Sequence, residues 1–356
     1  LPVMLIVMIT SLPFAWIYLL PNSLVDFSKS ILYSIGITSN FYFHYSGQIY
    51  GSESGLLKPF LHNWSLSVEE QYYILFPIIL LVAFKYFRKY LIYFLIFGFI
   101  LSLGLADWGS KNHPSFTFYI LPTRGWELLA GSILAYFEIT KGHRSKNKKL
   151  DLFMPVIGLF MVLCSILFFS DEMRHPSFFT LIPIVGVCLI IWFSNEGYVF
   201  TKILSTKLFV GIGLISYSLY LWHYPIFAFS RIRYTGFVSH GYLKEIIILF
   251  LVVILSLVTY FFIEKPARNR QNKFKFVTIP ISCLLILFVG YTSFVIKNNG
   301  FETRYFNTDI YKFSRQSYLE QFNFFTENYN YDNYSNGWIV GNIFKLFLII
   351  SLSASI

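Results

Sequence analysis

The chain of 356 residues is 56% hydrophobic and only 13% charged, far from the roughly 25% charged residues of an ordinary soluble domain. Its 41 Phe and 26 Tyr exceed what one aqueous core could bury, whereas lipid solvates such side chains on every side of a helix. A water-soluble globule is therefore excluded. The formal charge of +10, which in a soluble protein would suggest a nucleic-acid partner, resolves into basic residues in short loops between apolar runs.

A spanning helix needs about 20 predominantly apolar residues. By that ruler the chain predicts spans over roughly 1 to 20, 67 to 84, 90 to 106, 118 to 137, 152 to 169, 179 to 193, 208 to 229, 243 to 263 and 276 to 296. The expected fold class is all-α, a polytopic transmembrane bundle of about nine spanning helices. Residues 24 to 45 are apolar but punctuated by Asp26, Lys29, Asn40 and His44, which suits a helix lying at the outer interface or a re-entrant segment. The stretch 301 to 337, rich in Asn, Tyr and Asp, lacks helical periodicity and reads as an exposed linker. Cys164, Cys188 and Cys283 stand singly in apolar runs and are expected to be buried free thiols.

Positive residues are retained on the cytoplasmic side, so alternate loops fix the orientation. One set holds Lys85, Arg88, Lys89, Lys141, Arg144, Lys146, Lys148, Lys149, Lys202, Lys207, Lys265, Arg268, Arg270, Lys273 and Lys275; the other holds only Lys58, Lys111, Arg174, Arg231 and Arg233. The 67 to 84 helix is thus expected to run from outside to inside, with everything after 296 outside.

Ionisable groups within a bilayer are costly, so each is a site candidate unless a structural partner explains it. In HNWSLSVEEQYY (62–73), Ser67 as N-cap with Glu70 three residues on would form a capping box. Glu69 points about 100° away from Glu70 on a helix and could face the bundle, orienting an imidazole or taking a proton. In PTRGWELLAG (122–131), Arg124 and Glu127 share a helix face, as a packing ion pair or with Arg124 free to clamp a carbonyl or phosphate oxygen. In ISYSLYLWHYPI (215–226), Ser216, Tyr220 and His223 recur on one face, with Tyr217, Ser218 and Tyr224 on the neighbouring one; a structural core histidine is the alternative for His223. FIEKPARNR (262–270) reads as a solvated anchoring cluster where Pro266 stops the helix. No glycine-rich phosphate loop, metal-ligand cluster or G-x-S-x-G elbow appears, which disfavours metal chemistry and nucleotide hydrolysis.

Together HNWSLSVEEQYY, RGWELLA, ISYSLYLWHYP and FIEKPAR, in this order, closely resemble the acyltransferase-3 family, bacterial inner-membrane enzymes that O-acetylate surface polysaccharides. The resemblance covers about 1 to 296. It implies a ten-helix bundle, followed by an extra helix, here 276 to 296, and an extracytoplasmic SGNH-type domain. The family's catalytic histidine, its arginine partner and an R-x-x-R element that handles acyl-CoA would precede Leu1, so eight of the ten core helices are expected here and the chain is expected to be inactive by itself. Residues 297 to 356 would be an extracytoplasmic linker tail in which Ile339 to Asn342 resembles the first SGNH strand, without the serine that should follow.

The resulting expectation is a multi-pass enzyme of the bacterial inner membrane. It would carry an acetyl group from cytoplasmic acetyl-CoA to a hydroxyl of an extracytoplasmic glycan such as O-antigen of lipopolysaccharide, capsule or cell-wall polysaccharide. Its partners would be acetyl-CoA, the glycan acceptor and membrane lipids, with no nucleic acid, no bound cofactor and no metal. Catalytic candidates are Glu69, Glu70, Arg124 and His223; substrate contacts fall to His62, Trp64, Ser65, Glu127, Tyr217 and Tyr220. Glu69, Arg124 and His223 are expected in one shared pocket near the non-cytoplasmic face. A secondary transporter or a flippase for lipid-linked sugars is the rival, since it too places charged residues near mid-bilayer.

Overall fold

In the computed structural model the described residues are 2–48, 54–170, 173–195, 197–234, 242–268, 274–301 and 304. Within them the chain is helical and forms no strand. The expected linker and the segment Ile339 to Asn342 lie outside the described residues. In chain order the helices are α1 (Pro2–Tyr18), α2 (Pro21–Ile35), α3 (Ser39–Ser46), α4 (Asn63–Phe87), α5 (Leu91–Asn112), α6 (Pro114–Tyr119) and α7 (Leu121–Lys141). They continue as α8 (Lys148–Phe168), α9 (Leu181–Phe193), α10 (Val199–Leu204), α11 (Lys207–Tyr234), α12 (Tyr242–Thr259), α13 (Lys265–Arg268) and α14 (Phe274–Lys297).

Every expected span corresponds to one of these helices, and local chemistry sets their ends. Pro122 falls in the first turn of α7, where a missing N–H costs nothing. Gly142 closes the same helix in the left-handed conformation, φ 70°. The Asn147 side chain accepts from the Lys149 and Leu150 amides to start α8. Four stretches are long and apolar enough to cross a membrane: Asn63–Asn112, which holds α4 and α5 with a 3-10 turn at Arg88–Tyr90 between them, Lys148–Phe168, Glu245–Arg268 and Thr278–Lys297. α1 and the helix through α9 are apolar but shorter. α7 and α11 are 21 and 28 residues long yet fall short in apolarity, because they carry the charged and hydroxyl groups of two of the motifs.

Large apolar side chains cover the outward faces. Leu81, Phe160, Phe168, Phe262 and Ile286 are each at least 66% exposed, an arrangement that water would penalise and hydrocarbon does not. The thiols are free, but Cys164 and Cys188 are only half-buried and Cys283 is exposed. The apolar runs that suggested burial therefore present Cys283 on an outer helix face.

The chain divides into two compact units. The described part of the first comprises 2–36, 54–62 and 215–304. Its core joins Leu5, Met8, Leu24, Ile31, Leu221 and Phe288, each under 2% exposed. Phe27 stacks on Phe60 at 5.1 Å between centroids and meets Phe229 at 6.3 Å. α14 packs along α2, so the segment expected at the interface buries Leu24, Phe27 and Ile31 as one helix stripe. At the end of α14, Gly300 has φ +70° and approaches Pro21 so closely that a Cβ would lie 2.1 Å from its carbonyl oxygen. Only glycine fits there.

The second unit holds 37–48 and 63–214. Within it α8 and α9 cross where Gly158 and Gly186 meet; a Cβ on Gly158 would lie 2.4 Å from the Gly186 carbonyl oxygen. This is the small-residue contact by which membrane helices approach closely. α5 and α7 are joined through Ser102, which donates to the Pro122 carbonyl at 2.6 Å and accepts from the Trp126 amide at 3.0 Å. α4 and α7 are joined by Tyr72 and Ser132, 2.8 Å apart.

Candidate functional site

In the first unit, one face of α11 grips the loop ahead of α4. Tyr220 donates its hydroxyl to the His62 carbonyl at 2.7 Å, Tyr224 to the Gly55 carbonyl at 2.9 Å, and Arg231 to the Leu56 carbonyl at 3.3 Å. These residues follow one another by four and seven positions, the spacing of a single helix face. The His62 ring enters this nest. It stacks on Tyr224 at 5.4 Å and meets Tyr220 at 5.3 Å and His223 at 5.6 Å.

His223 donates from Nδ1 to the Tyr220 carbonyl at 2.5 Å. A carbonyl can only accept, so Nδ1 carries a proton. Burial, with His223 beside it, holds the His62 imidazole well below its ordinary range and therefore neutral. Tyr217 is half-buried one turn earlier on α11. Ser218 points elsewhere and donates to Glu264 at 2.7 Å. Glu264, 4% exposed, lies in a π-helical turn (Tyr260–Glu264) and pairs with Arg268 at 2.7 Å. The solvated cluster expected at 262–270 is thus corrected for Glu264, whose burial is offset by a hydroxyl and a guanidinium.

In the second unit α4 starts at Asn63, four residues before the expected cap. Ser67 therefore lies inside the helix and faces Ser39 across 2.7 Å, while the Ser39 hydroxyl donates to the Asn63 carbonyl at 2.8 Å. The capping-box reading is overturned, because the exchange with α3 uses the hydroxyl that would have capped. Gln71 continues this face, donating to the carbonyl of Ile37 at 2.8 Å and the amide oxygen of Asn40 at 3.0 Å. Glu70 is exposed, whereas Glu69 is half-buried and feels the charges of Arg124 and Glu127. Ser65 is half-buried one turn before Glu69.

Arg124 pairs with Glu127 at 3.3 Å, the same-face ion pair that their spacing allows. Its guanidinium also lies 5.4 Å from the Trp64 ring and 5.6 Å from Phe118, and donates to His175 Nε2. Both polar contacts use Nη1. Among the described residues Nη2 and Nε make no other hydrogen bond, so one edge of the planar fork can receive an acceptor oxygen. Trp64 packs on Phe118 at 4.5 Å and Tyr119 at 5.3 Å, fixing the plane against which the guanidinium lies.

The sequence reading missed His175. A histidine in the loop before α9, flanked by Arg174 and Pro176, offers no periodic signal, and only the fold brings it to Arg124. Of the three residues expected in one pocket, Glu69 and Arg124 fall in the second unit and His223 in the first. Among the described residues no three His, Cys, Asp or Glu side chains converge in a way that could hold a metal ion.

A family model described as an acyltransferase domain matches residues 3–265. Among curated proteins, the chain is 30% identical over 265 residues to the O-acetyltransferase OatA of Staphylococcus aureus, covering 71% of this chain and 43% of that protein. It is 28% identical over 270 residues to the peptidoglycan O-acetyltransferase OatA of Listeria monocytogenes, covering 72% of this chain and 43% of that protein. The chain therefore spans less than half the length of these relatives. No solved structure matches. With the matched region running from α1 to the end of the π turn, through the first three motifs and into the fourth, the chain belongs to the acyltransferase-3 family.

Proposed function

We propose that the protein is a membrane O-acyltransferase that moves an acetyl group from acetyl-CoA to a hydroxyl of an extracytoplasmic glycan. Cell-wall polysaccharide is the favoured acceptor, since one of the two relatives compared carries peptidoglycan in its name. The observation that carries the reading is the contact of His223 Nδ1 with the Tyr220 carbonyl at 2.5 Å. With Nδ1 committed to the Tyr220 carbonyl, Nε2 is the ring's basic atom and accepts the proton of a sugar hydroxyl as its oxygen attacks the acetyl carbonyl. Collapse of the tetrahedral intermediate breaks the carbon–sulfur bond, and the CoA thiolate leaves with that proton.

In the second unit, Arg124 is assigned to an acyl or phosphate oxygen of the substrate through the guanidinium edge that its neighbours leave open, held in plane by Trp64 and Phe118. Glu69, not the exposed Glu70, is assigned as the carboxylate that answers to that charge. His62, Trp64, Ser65, Tyr217 and Tyr220 line or support these groups.

The test is alkali-labile O-acetyl on the glycan of cells that lack their own transferase and express the full-length gene product. Acetylation is expected with the native sequence and a severe loss with Glu69→Gln at equal protein level. Uptake of a substrate into vesicles with no acetyl transfer would reject this reading in favour of a transporter.

A further inference from the structure

The second unit also contains an open cavity of about 360 Å³, within the range of small-ligand sites. It is bounded by His44 and Gln48 of the α3 end, by Asn112 and His113 where α5 stops, and by Ser115 and Phe116 of α6. The His44 ring contacts Ser115 Oγ through Nδ1 at 3.0 Å and meets the Phe116 ring at 5.4 Å. The Gln48 amide nitrogen lies 3.1 Å from His44 Nε2.

The chemistry of this lining is specific. Two imidazoles, two carboxamides and a hydroxyl offer both donors and acceptors, and among the described residues no lysine, arginine or carboxylate lines it. Lys111, next to Asn112, is already paired with Asp107 at 2.6 Å. Such a wall carries no permanent positive charge; the Asn112 amide nitrogen donates to the Trp108 carbonyl at 2.8 Å, which leaves its carbonyl oxygen, with the imidazoles and the hydroxyl, to exchange hydrogen bonds with sugar hydroxyls. Exposed rings flank it: Phe116 is 45% exposed, Tyr45 63% and Trp108 60%. Tyr45 lies 4.9 Å from the His44 ring and Trp108 6.1 Å from His113. Flat apolar rings beside neutral hydrogen-bonding groups match a pyranose, which has an apolar C–H face and a rim of hydroxyls. By the loop-charge count, the α5–α6 junction lies on the non-cytoplasmic side, where a glycan is met.

We propose that this cavity is a saccharide subsite, holding an uncharged sugar unit of the acceptor glycan between Phe116 and the carboxamides of Gln48 and Asn112. It deepens the acyl-transfer reading above and rests on it for the identity of the sugar as acceptor. The site is a binding site only; no bond is made or broken there.

The experiment uses the full-length protein in lipid nanodiscs and a tetramer of N-acetylglucosamine as probe, with binding followed by saturation-transfer NMR and titration. Binding by the native protein is expected, weakened about tenfold or more by Phe116→Ala and by Asn112→Ala, and restored by Phe116→Trp. Both positions are exposed, so the variants should fold, and their melting temperatures are compared with the native one. Absence of probe binding to the native protein overturns the proposal, as does native-like binding by both alanine variants. Probe binding displaced by phosphatidylglycerol vesicles would assign the cavity to lipid and overturn it as well. In the transfer assay, Phe116→Ala should raise the acceptor KM with little change in kcat. Transfer with unaltered KM removes the subsite alone, whereas intact probe binding without any transfer by the native protein removes the acyl-transfer reading alone.

Discussion

The two units solve the same problem, keeping polar side chains in an apolar solvent, by opposite means. In the first unit the histidine nest is neutral: hydroxyls of Tyr220 and Tyr224 and the Nδ1–H of His223 all terminate on backbone carbonyls. In the second, Arg124 pairs with Glu127, and aromatic faces complete the guanidinium's surroundings. Hydrogen bonds to the backbone fix a tautomer and an orientation. Charge pairs fix an electrostatic balance, and removing one partner leaves the other costly to keep buried. The first arrangement suits proton transfer and the second suits holding an anionic or carbonyl oxygen.

The sharpest way to break this contrast is through catalysis. His223→Gln, which retains polarity but not basicity, should lower acetyl transfer by about 10²- to 10⁴-fold, measured as released acetate from purified glycan; a variant that keeps full transfer would leave the nest a structural feature. Next comes Arg124→Ala, expected to cost about 3 kcal/mol of stability because Glu127 loses its counter-charge, read as a lowered melting temperature in detergent. Changing Glu127→Gln in the Arg124→Ala background should recover part of that loss, and no recovery would show that the ion pair is not what the arginine supports.

Within the nest the expected effects are smaller. Tyr220→Phe removes one hydroxyl bond to the His62 carbonyl and should cost about 1 kcal/mol. A gentler test is the pH dependence of stability. The His62 pKa in the folded chain lies below the 6.5 of the unfolded one, so beneath pH 6.5 the unfolded chain binds more protons than the folded chain. Stability is then fully present above pH 6.5 and declines as pH falls below it. Thermal melts of the native protein should show that decline and His62→Gln should flatten it; identical slopes would remove the neutral imidazole from the comparison.

The reach of sequence reasoning is visible in particular residues. The centres of the spans were legible because an apolar run of the required length is a local property; the ends were less so, since α7 runs from Leu121 to Lys141 and α8 begins at Lys148, where 118 to 137 and 152 are expected, because Pro122, Gly142 and Asn147 and not hydropathy set those ends. The Arg124–Glu127 pair was legible from its spacing of three. The start of α4 was not: Ser67, Val68, Glu69 and Glu70 look like a capping sequence, yet Ser39, 28 positions away, takes the Ser67 hydroxyl. Glu264 looked solvated because basic residues surround it, yet it is buried with Ser218 of another helix on one oxygen and Arg268 on the other.

What the sequence determined by itself is the solvent, the helices and the chemical types at the site, since hydropathy, propensity and motif identity need no knowledge of distant neighbours. Tertiary structure alone decided that Glu69 feels the charge of Arg124, that His175 joins the guanidinium, and that His44 and His113 share a cavity. Each of those outcomes depends on side chains brought together by helix packing from positions tens of residues apart, and a helical period constrains only the face from which a residue departs.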